Sequence, residues 1–268
     1  MAKRIGKRTV ELENAVCVRG FASAAGPKET EGPISEYFDV KCEDEFLGEE
    51  SFEKAESKLQ QLAVTTALKK SELKEQDIDL IFAGDLLNQC IGSAYGLRNF
   101  GIPFVGLYGA CSTMALSLLL ASMSVESGVS ERAVAVTSSH FCSSERQFRF
   151  PLEYGGQRPP TAQWTVTGAG AVIVENGEKS KCTDKPNNTD KSDCKERSNI
   201  ANNPDGCGRI KVKTLTIGKI VDLNVSDMNN MGAAMAPDDV KIRPYPRHEG
   251  MVFFYTQIYI KGGLSHYI

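Results

Sequence analysis

The chain holds 268 residues, of which 41% are hydrophobic, 8% aromatic and 24% charged, the figures of an ordinary globular protein with room for one large or two small cores. Lys and Arg total 31 against 34 for Asp and Glu, and the formal net charge of −3 excludes an overall attraction to nucleic acid or anionic lipid. The longest apolar stretch, Ala115 to Val125, is broken by serines and too short for a bilayer, while the basic start MAKRIGKR runs into TVELENA, where a signal peptide would need an apolar core, so neither a membrane span nor secretion is expected.

A β-type stretch from Thr9 to Phe21 opens the chain and runs into the turn-rich AAGPKETEGP. Ser51 is the predicted N-cap of the first long helix, whose positions Phe52, Ala55, Leu59, Leu62, Ala63 and Thr66 follow the three-four spacing of one buried face. Asp79-LIFAG is a short apolar run of the kind found in a buried parallel strand. A helix over about Ala94 to Phe100 leads to a strand in Pro103-FVGLYG. A long helix then follows Ala110-Cys111-Ser112-Thr113 and extends to about Ser127. Strands at Arg132-AVAVTSS and Gly170-AVIVE complete the series, with the segment between them, Phe141 to Thr167, read as a loop. Strands alternating with helices at these intervals predict a three-layer α/β fold with a largely parallel sheet.

Two segments depart from that pattern. Residues 177–208 carry twelve charged residues, many Asn and almost nothing apolar, so they are expected to form a disordered or loosely held insertion. From Asp238 to Ile268 the chain holds six of its 21 aromatics and two of its three histidines. Met251-VFFYTQIYI reads there as a terminal strand; the preferred expectation is an aberrant tail, out of character because the reading frame is broken near Pro237. The eight cysteines include no C-x-x-C pair, and those of the insertion have eleven and twelve residues between them, a spacing that predicts no metal site and reads as reduced thiols.

Cys111 is the most informative single residue. It follows an apolar strand and the tight turn Gly109-Ala110 and opens a long helix, where the helix dipole and free backbone N–H groups favour a thiolate and can stabilise an oxyanion. The alternative is a small buried hydrophobe at a helix start. Asp85, with Asn88 three residues on, and His140 end strands at the carboxyl edge where parallel α/β sheets bind ligands; Asp85 could equally cap the next turn. In the following loop Arg146 or Arg149 could clamp a carboxylate in bidentate fashion, or simply take part in surface ion pairs. Gly168-Ala169-Gly170 precedes a strand instead of following one, so a dinucleotide loop is excluded.

These residues bring a resemblance with them. Gly109-Ala110-Cys111-Ser112-Thr113 before a helix and Val166-TGAGA-Val172 before a strand resemble the N-terminal half of the thiolase and ketoacyl-synthase-III superfamily. The stretches SAAGPKETEGP, DIDLIFAGDLLNQ, YGACSTM, AVTSSHFCSSERQFRFPLEYGGQRPPTAQWTVTGAGAVIV and TIGKIVDLNVSDMNNMGAAMAP narrow it to the stage V sporulation protein AD family, over about residues 1–176 and 209–237. The resemblance implies a thiolase-like fold of two similar halves, of which this chain carries the first. It also implies binding of dipicolinic acid, free or as its calcium chelate, without synthetic activity or a cofactor. Other stage V sporulation A proteins become expected partners, at the cytoplasmic face of the forespore inner membrane. A homodimer is expected because the superfamily commonly pairs through sheet edges. The implied pocket takes Cys111 at the superfamily's nucleophile position and Ser112 beside it, with Asp85, Asn88, His140 and Arg146 as the other candidates. Two alternatives stay open: an acyl-thioester transferase using Cys111, which lacks a partner base, and a non-functional fragment.

Overall fold

The core of the fold is set by strands whose residues face two ways. In Arg132–Ser139, Ala133 and Ala135 pack to one side, whereas Val134 and Val136 pack to the other. Both sets are fully buried, as a strand covered on both faces requires. The computed structural model describes residues 2–5, 9–148, 165–177, 211–217, 221–223, 251–253 and 256–261. Its strands are β1 (Lys3–Ile5), β2 (Thr9–Ala25), β3 (Val40–Lys41), β4 (Leu80–Gly84), β5 (Phe104–Gly106), β6 (Arg132–Ser139), β7 (Gly168–Asn176), β8 (Lys211–Ile217), β9 (Val221–Leu223), β10 (Met251–Phe253) and β11 (Thr256–Lys261). Its α-helices are α1 (Pro27–Thr30), α2 (Phe52–Lys70), α3 (Ile91–Leu97), α4 (Thr113–Glu126) and α5 (Phe141–Phe148).

The main sheet runs β11-β8-β2-β7-β6-β4-β5, with β1 and β3 also paired to β2. Parallel pairing holds β6 to β4, β4 to β5 and β2 to β3. From β6 outward through β7, β2, β8 and β11 the pairs are antiparallel, so the sheet is mixed. The expected parallel order therefore describes the β6-β4-β5 side, where each strand follows a helical crossover. β7 and β8 lie on opposite sides of β2, and Cys17 faces both Glu175 of β7 and Lys211 of β8. β7 and β8 are therefore not neighbours in the sheet. The connection between them lies outside the described residues apart from Gly177, as does the C-terminal stretch apart from β10 and β11. β11 pairs with β8 at the sheet edge.

Helices cover both faces. α2 sets Leu59, Ala63, Val64, Ala67 and Leu68 against Ile81, Ala83, Val134, Val136 and Ile173. On the other face α4 sets Leu118, Leu119, Ala121 and Val125 against Phe82, Ala133, Ala135, Val174 and Val212. Each fully buried Leu, Ile or Val side chain contributes roughly 1.5–3 kcal/mol of transfer free energy. Ser51 caps α2 as predicted, its Oγ accepting from the Lys54 amide at 3.3 Å. The buried stripe of α2 is rotated from the expected one, however: Phe52, Leu62 and Thr66 are only half-buried, whereas Glu56 and Gln60 are fully buried. α5 is also new, because His140 leads straight into a helix where a loop was expected. Among the described residues no helix is long and apolar enough to cross a membrane.

Candidate functional site

Because β4, β5 and β6 are parallel, their carboxyl ends share one edge of the sheet. The helices that follow them, α3, α4 and α5, begin at that edge and bring Asp85, Cys111 and His140 to it. The backbone there is held in unusual conformations: Gln89, Cys90 and Ala110 have φ of 60°, 53° and 47°. Left-handed non-glycine residues cost about 1–3 kcal/mol each and persist only where their surroundings hold them.

Cys111 lies on the single 3-10 turn Ala110–Ser112 and is exposed. The turn is tightly tied. Ser112 Oγ donates to the Gly109 carbonyl at 2.8 Å, and Thr113 Oγ1 donates to the Ala110 carbonyl at 2.8 Å while accepting from the Gly109 amide at 3.2 Å. Ser112 is the N-cap of α4 yet makes no side-chain capping bond; its own amide donates to the Gly109 carbonyl at 3.0 Å and the Thr113 amide to the Ala110 carbonyl. Tyr108, just before the turn, is 50% exposed. Partial burial pushes its hydroxyl pKa up, and the neighbouring charges of Asp85, Cys90 and Cys111 add to that. The Cys90 thiol donates to the Leu107 carbonyl at 3.3 Å and is also raised, first by burial and then by Asp85.

Asp85 is wholly buried, and the protein's own donors occupy its carboxylate. Oδ1 accepts from the Leu87 amide at 2.8 Å, and Oδ2 accepts from the Ser93 amide at 2.7 Å and from Ser93 Oγ at 2.5 Å. Its observed role is to tie the end of β4 to the start of α3, the capping alternative left open above. Asn88 is exposed, and its amide donates to Gln147 Oε1 at 3.1 Å, linking this turn to α5.

His140 is 1% exposed. Its Nδ1 accepts from the Cys142 amide at 3.2 Å, which leaves Nε2 carrying the proton and donating to the Glu45 carbonyl at 2.9 Å. The ring packs on Phe52 with centroids 5.0 Å apart. Nε2 therefore anchors the loop before α2 and Nδ1 the first turn of α5, and neither is available as a base for Cys111. Arg146 is exposed, 3.3 Å from Glu53 and over the Phe52 ring. Arg149 lies outside the described residues.

Residues absent from the candidate list join these pieces from beneath. Gln60 Nε2 reaches Ser138 Oγ at 2.8 Å, Ser93 Oγ at 2.9 Å and the Gly84 carbonyl at 3.3 Å. Ser138 and Ser143 in turn donate to the two oxygens of Glu56, at 3.1 and 2.9 Å. A buried polar chain thus runs from α5 through α2 and β6 to Ser93 and Asp85. Burial is the main cause of the Glu56 carboxyl pKa being pushed up to about 7, with Asp85 and Glu53 adding to it against the two serine hydroxyls. The visible signal was a polar pair four residues apart, Glu56 and Gln60, in step with Ala63 and Ala67 on the inner face of a helix.

An open groove of about 760 Å³, lined by Leu68, Leu73, Ile78, Phe100, Ile102 and Pro103 among others, adjoins the opposite edge, where β4 and β5 begin. Among the described residues no group of three or more His, Cys, Asp or Glu could hold a metal ion.

Among solved structures, the chain is similar to OleA of Xanthomonas campestris in its H285D form, at 15% identity and a TM-score of 0.43 over 63% of this chain and 58% of that one. It is also similar to 3-oxoacyl-[acyl-carrier-protein] synthase III of Aquifex aeolicus, at 16% identity and a TM-score of 0.40 over 61% and 54% of the two chains. In sequence it is 41% identical over 235 residues to the stage V sporulation protein AD of Bacillus subtilis strain 168. That match takes in 88% of this chain and 61% of the relative, so the chain spans less than two thirds of that protein's length. Residues 6–245 match the family described as stage V sporulation protein AD, and the chain belongs to that family.

Proposed function

We propose that the chain serves sporulation by binding dipicolinic acid for uptake into the forespore, as a non-catalytic member of a fold used elsewhere for acyl transfer. Family membership over residues 6–245 is the observation that carries this reading. The strand-end site supports it with suitable chemistry: a pyridine dicarboxylate needs N–H donors for its oxygens and a flat apolar neighbour for its ring. The start of α4 beyond Thr113, where the Ser112 side chain makes no capping bond, offers amide donors beside Cys111, and the exposed Tyr108 ring offers the face. Asn88 and Arg146 border the same edge from the surface, while Asp85 and His140 hold the frame. An acyl-transfer reading gains no support from His140, whose ring nitrogens are both engaged.

The same reading includes other stage V sporulation A proteins as partners, with the chain associated peripherally at the cytoplasmic face of the forespore inner membrane. A homodimer fits the exposed edge strand β5, whose Phe104 and Val105 are more than a third exposed. The test is calorimetric titration of the folded chain with dipicolinate and with picolinate, its monocarboxylate analogue. Saturable binding that favours the diacid is expected. Equal heats for the two acids, or none, would contradict the proposal.

A further inference from the structure

The buried chain beneath the site has a member with two alternative acceptors. Ser143 Oγ, in the first turn of α5, is 2.9 Å from Glu56 Oε2 and 3.1 Å from the carbonyl oxygen of His140. That carbonyl also accepts the Ser144 amide at 3.0 Å, the first helical bond of α5. A hydroxyl has one proton to donate, so Ser143 can serve one of these acceptors at a time. Which one it serves depends on Glu56. When Glu56 is ionised it is an acceptor only, and Ser138 and Ser143 each donate to one of its oxygens. When Oε2 takes a proton from solvent it becomes a donor to Ser143 Oγ, and the Ser143 hydroxyl is then free to turn to the His140 carbonyl.

We propose that Ser143 is a two-position hydroxyl switch, set by a proton on Glu56, which governs how firmly α5 is held against the end of the sheet. The ionised state is the strained one. Glu56 is wholly buried, and the groups that hold it are hydroxyls, not cations. The end of β4 presents the carboxylate of Asp85, and α2 itself presents Glu53, which Arg146 of α5 partly neutralises at 3.3 Å. β6 presents Ser138, and beyond it Gln60 Oε1 is buried without a partner. The His140 ring nearby has its nitrogens on the Glu45 carbonyl and the Cys142 amide, and adds no acceptor for the proton. Opening of α5 admits water to the carboxylate and relieves its burial, so opening is favoured as Glu56 ionises. The direction of the Glu56 shift agrees, since its proton is held more tightly than in an exposed Glu. The switch stands on this geometry and does not depend on which ligand the surface site takes.

Amide hydrogen exchange of residues 141–148 in the intact chain, corrected for intrinsic rates, tests the switch between pH 5 and 8. The opening constant of α5 should rise on the order of 10- to 100-fold across that range. Val134 to Val136, deep in the sheet, should not show this rise, and Glu56→Gln should abolish it. The carbonyl-carbon shift of His140 reports the hydroxyl directly: it should titrate near neutrality in the wild type and lose that titration in Ser143→Ala, which keeps the carboxylate. If Glu56→Gln does not fold, the wild-type curves decide alone. Exchange in α5 that is flat with pH, or that merely tracks Val134 to Val136, overturns the proposal. So does a His140 carbonyl that titrates unchanged in Ser143→Ala.

Discussion

Gly84 ends β4 directly under the turn that carries Cys111, and the fold leaves no room for a side chain there. A methyl group on its Cα would lie 2.1 Å from the Leu107 carbonyl oxygen and 2.6 Å from Thr113 Cγ2. Carbon–oxygen contacts settle near 3.3 Å, so Gly84→Ala must push the end of β5 away by roughly 1 Å. That movement strains the Leu107 amide bond to the Ala83 carbonyl, now 2.8 Å, and the Thr113 hydroxyl that ties Gly109 and Ala110. Overpacking costs about 1–3 kcal/mol and a weakened hydrogen bond about 1 kcal/mol more, giving a loss of about 2–4 kcal/mol in urea unfolding. Alkylation of Cys111 should change rate by at least about threefold, because its turn moves with Leu107 and Thr113. Adding Thr113→Ser deletes the methyl at 2.6 Å and should recover part of the stability. Gly170→Ala is the control, since nothing lies within 4 Å of its added carbon. A Gly84→Ala protein as stable as the wild type, with unchanged Cys111 alkylation, would refute the packing argument.

The buried chain makes two further predictions. Glu56 is raised from an ordinary 4.5 to about 7, so the folded state binds its proton more tightly than the unfolded state. The stability this contributes is full below about pH 4.5 and is lost as pH rises through about 7. It amounts to no more than about 3 kcal/mol. Glu56→Gln should flatten that part of the stability–pH curve, and an unaltered slope would show that Glu56 is not the group responsible. Ser93→Ala removes the hydroxyl that donates to Asp85 and accepts from Gln60, and should cost about 1–3 kcal/mol in urea unfolding at pH 7. A loss below about 0.5 kcal/mol would mean the chain contributes little to holding β4, α2 and α3 together.

Local pattern made much of the architecture legible. The apolar runs of β4 and β6, the Ser51 cap and the small-residue start of α4 each state their structure within a few residues. The antiparallel side of the sheet is not readable in this way, because β2 pairs with strands distant in sequence and no local periodicity encodes the direction of such pairing. α5 was missed because Phe141-CSSERQF has few strong helix formers, and its start depends on tertiary bonds such as the Phe141 amide to Thr167 Oγ1. For the candidate site, Cys111, Asp85 and His140 do come to one edge, as strand ends should. Their roles were less visible: a carboxylate or imidazole at a strand end looks the same in sequence whether it faces a ligand or its own backbone. The polar pair Glu56 and Gln60 falls outside the expected stripe because a three-four spacing is carried by apolar residues, and a buried polar pair does not contribute to such a pattern.

Calorimetric titration of dipicolinate into the folded chain, run beside picolinate, reaches the central claim most directly. The account predicts one saturable site that prefers the diacid, since two carboxylates can engage more of the strand-end donors than one. A chain shown by circular dichroism to be folded that gives no heat with either acid, or binds both alike, would contradict it.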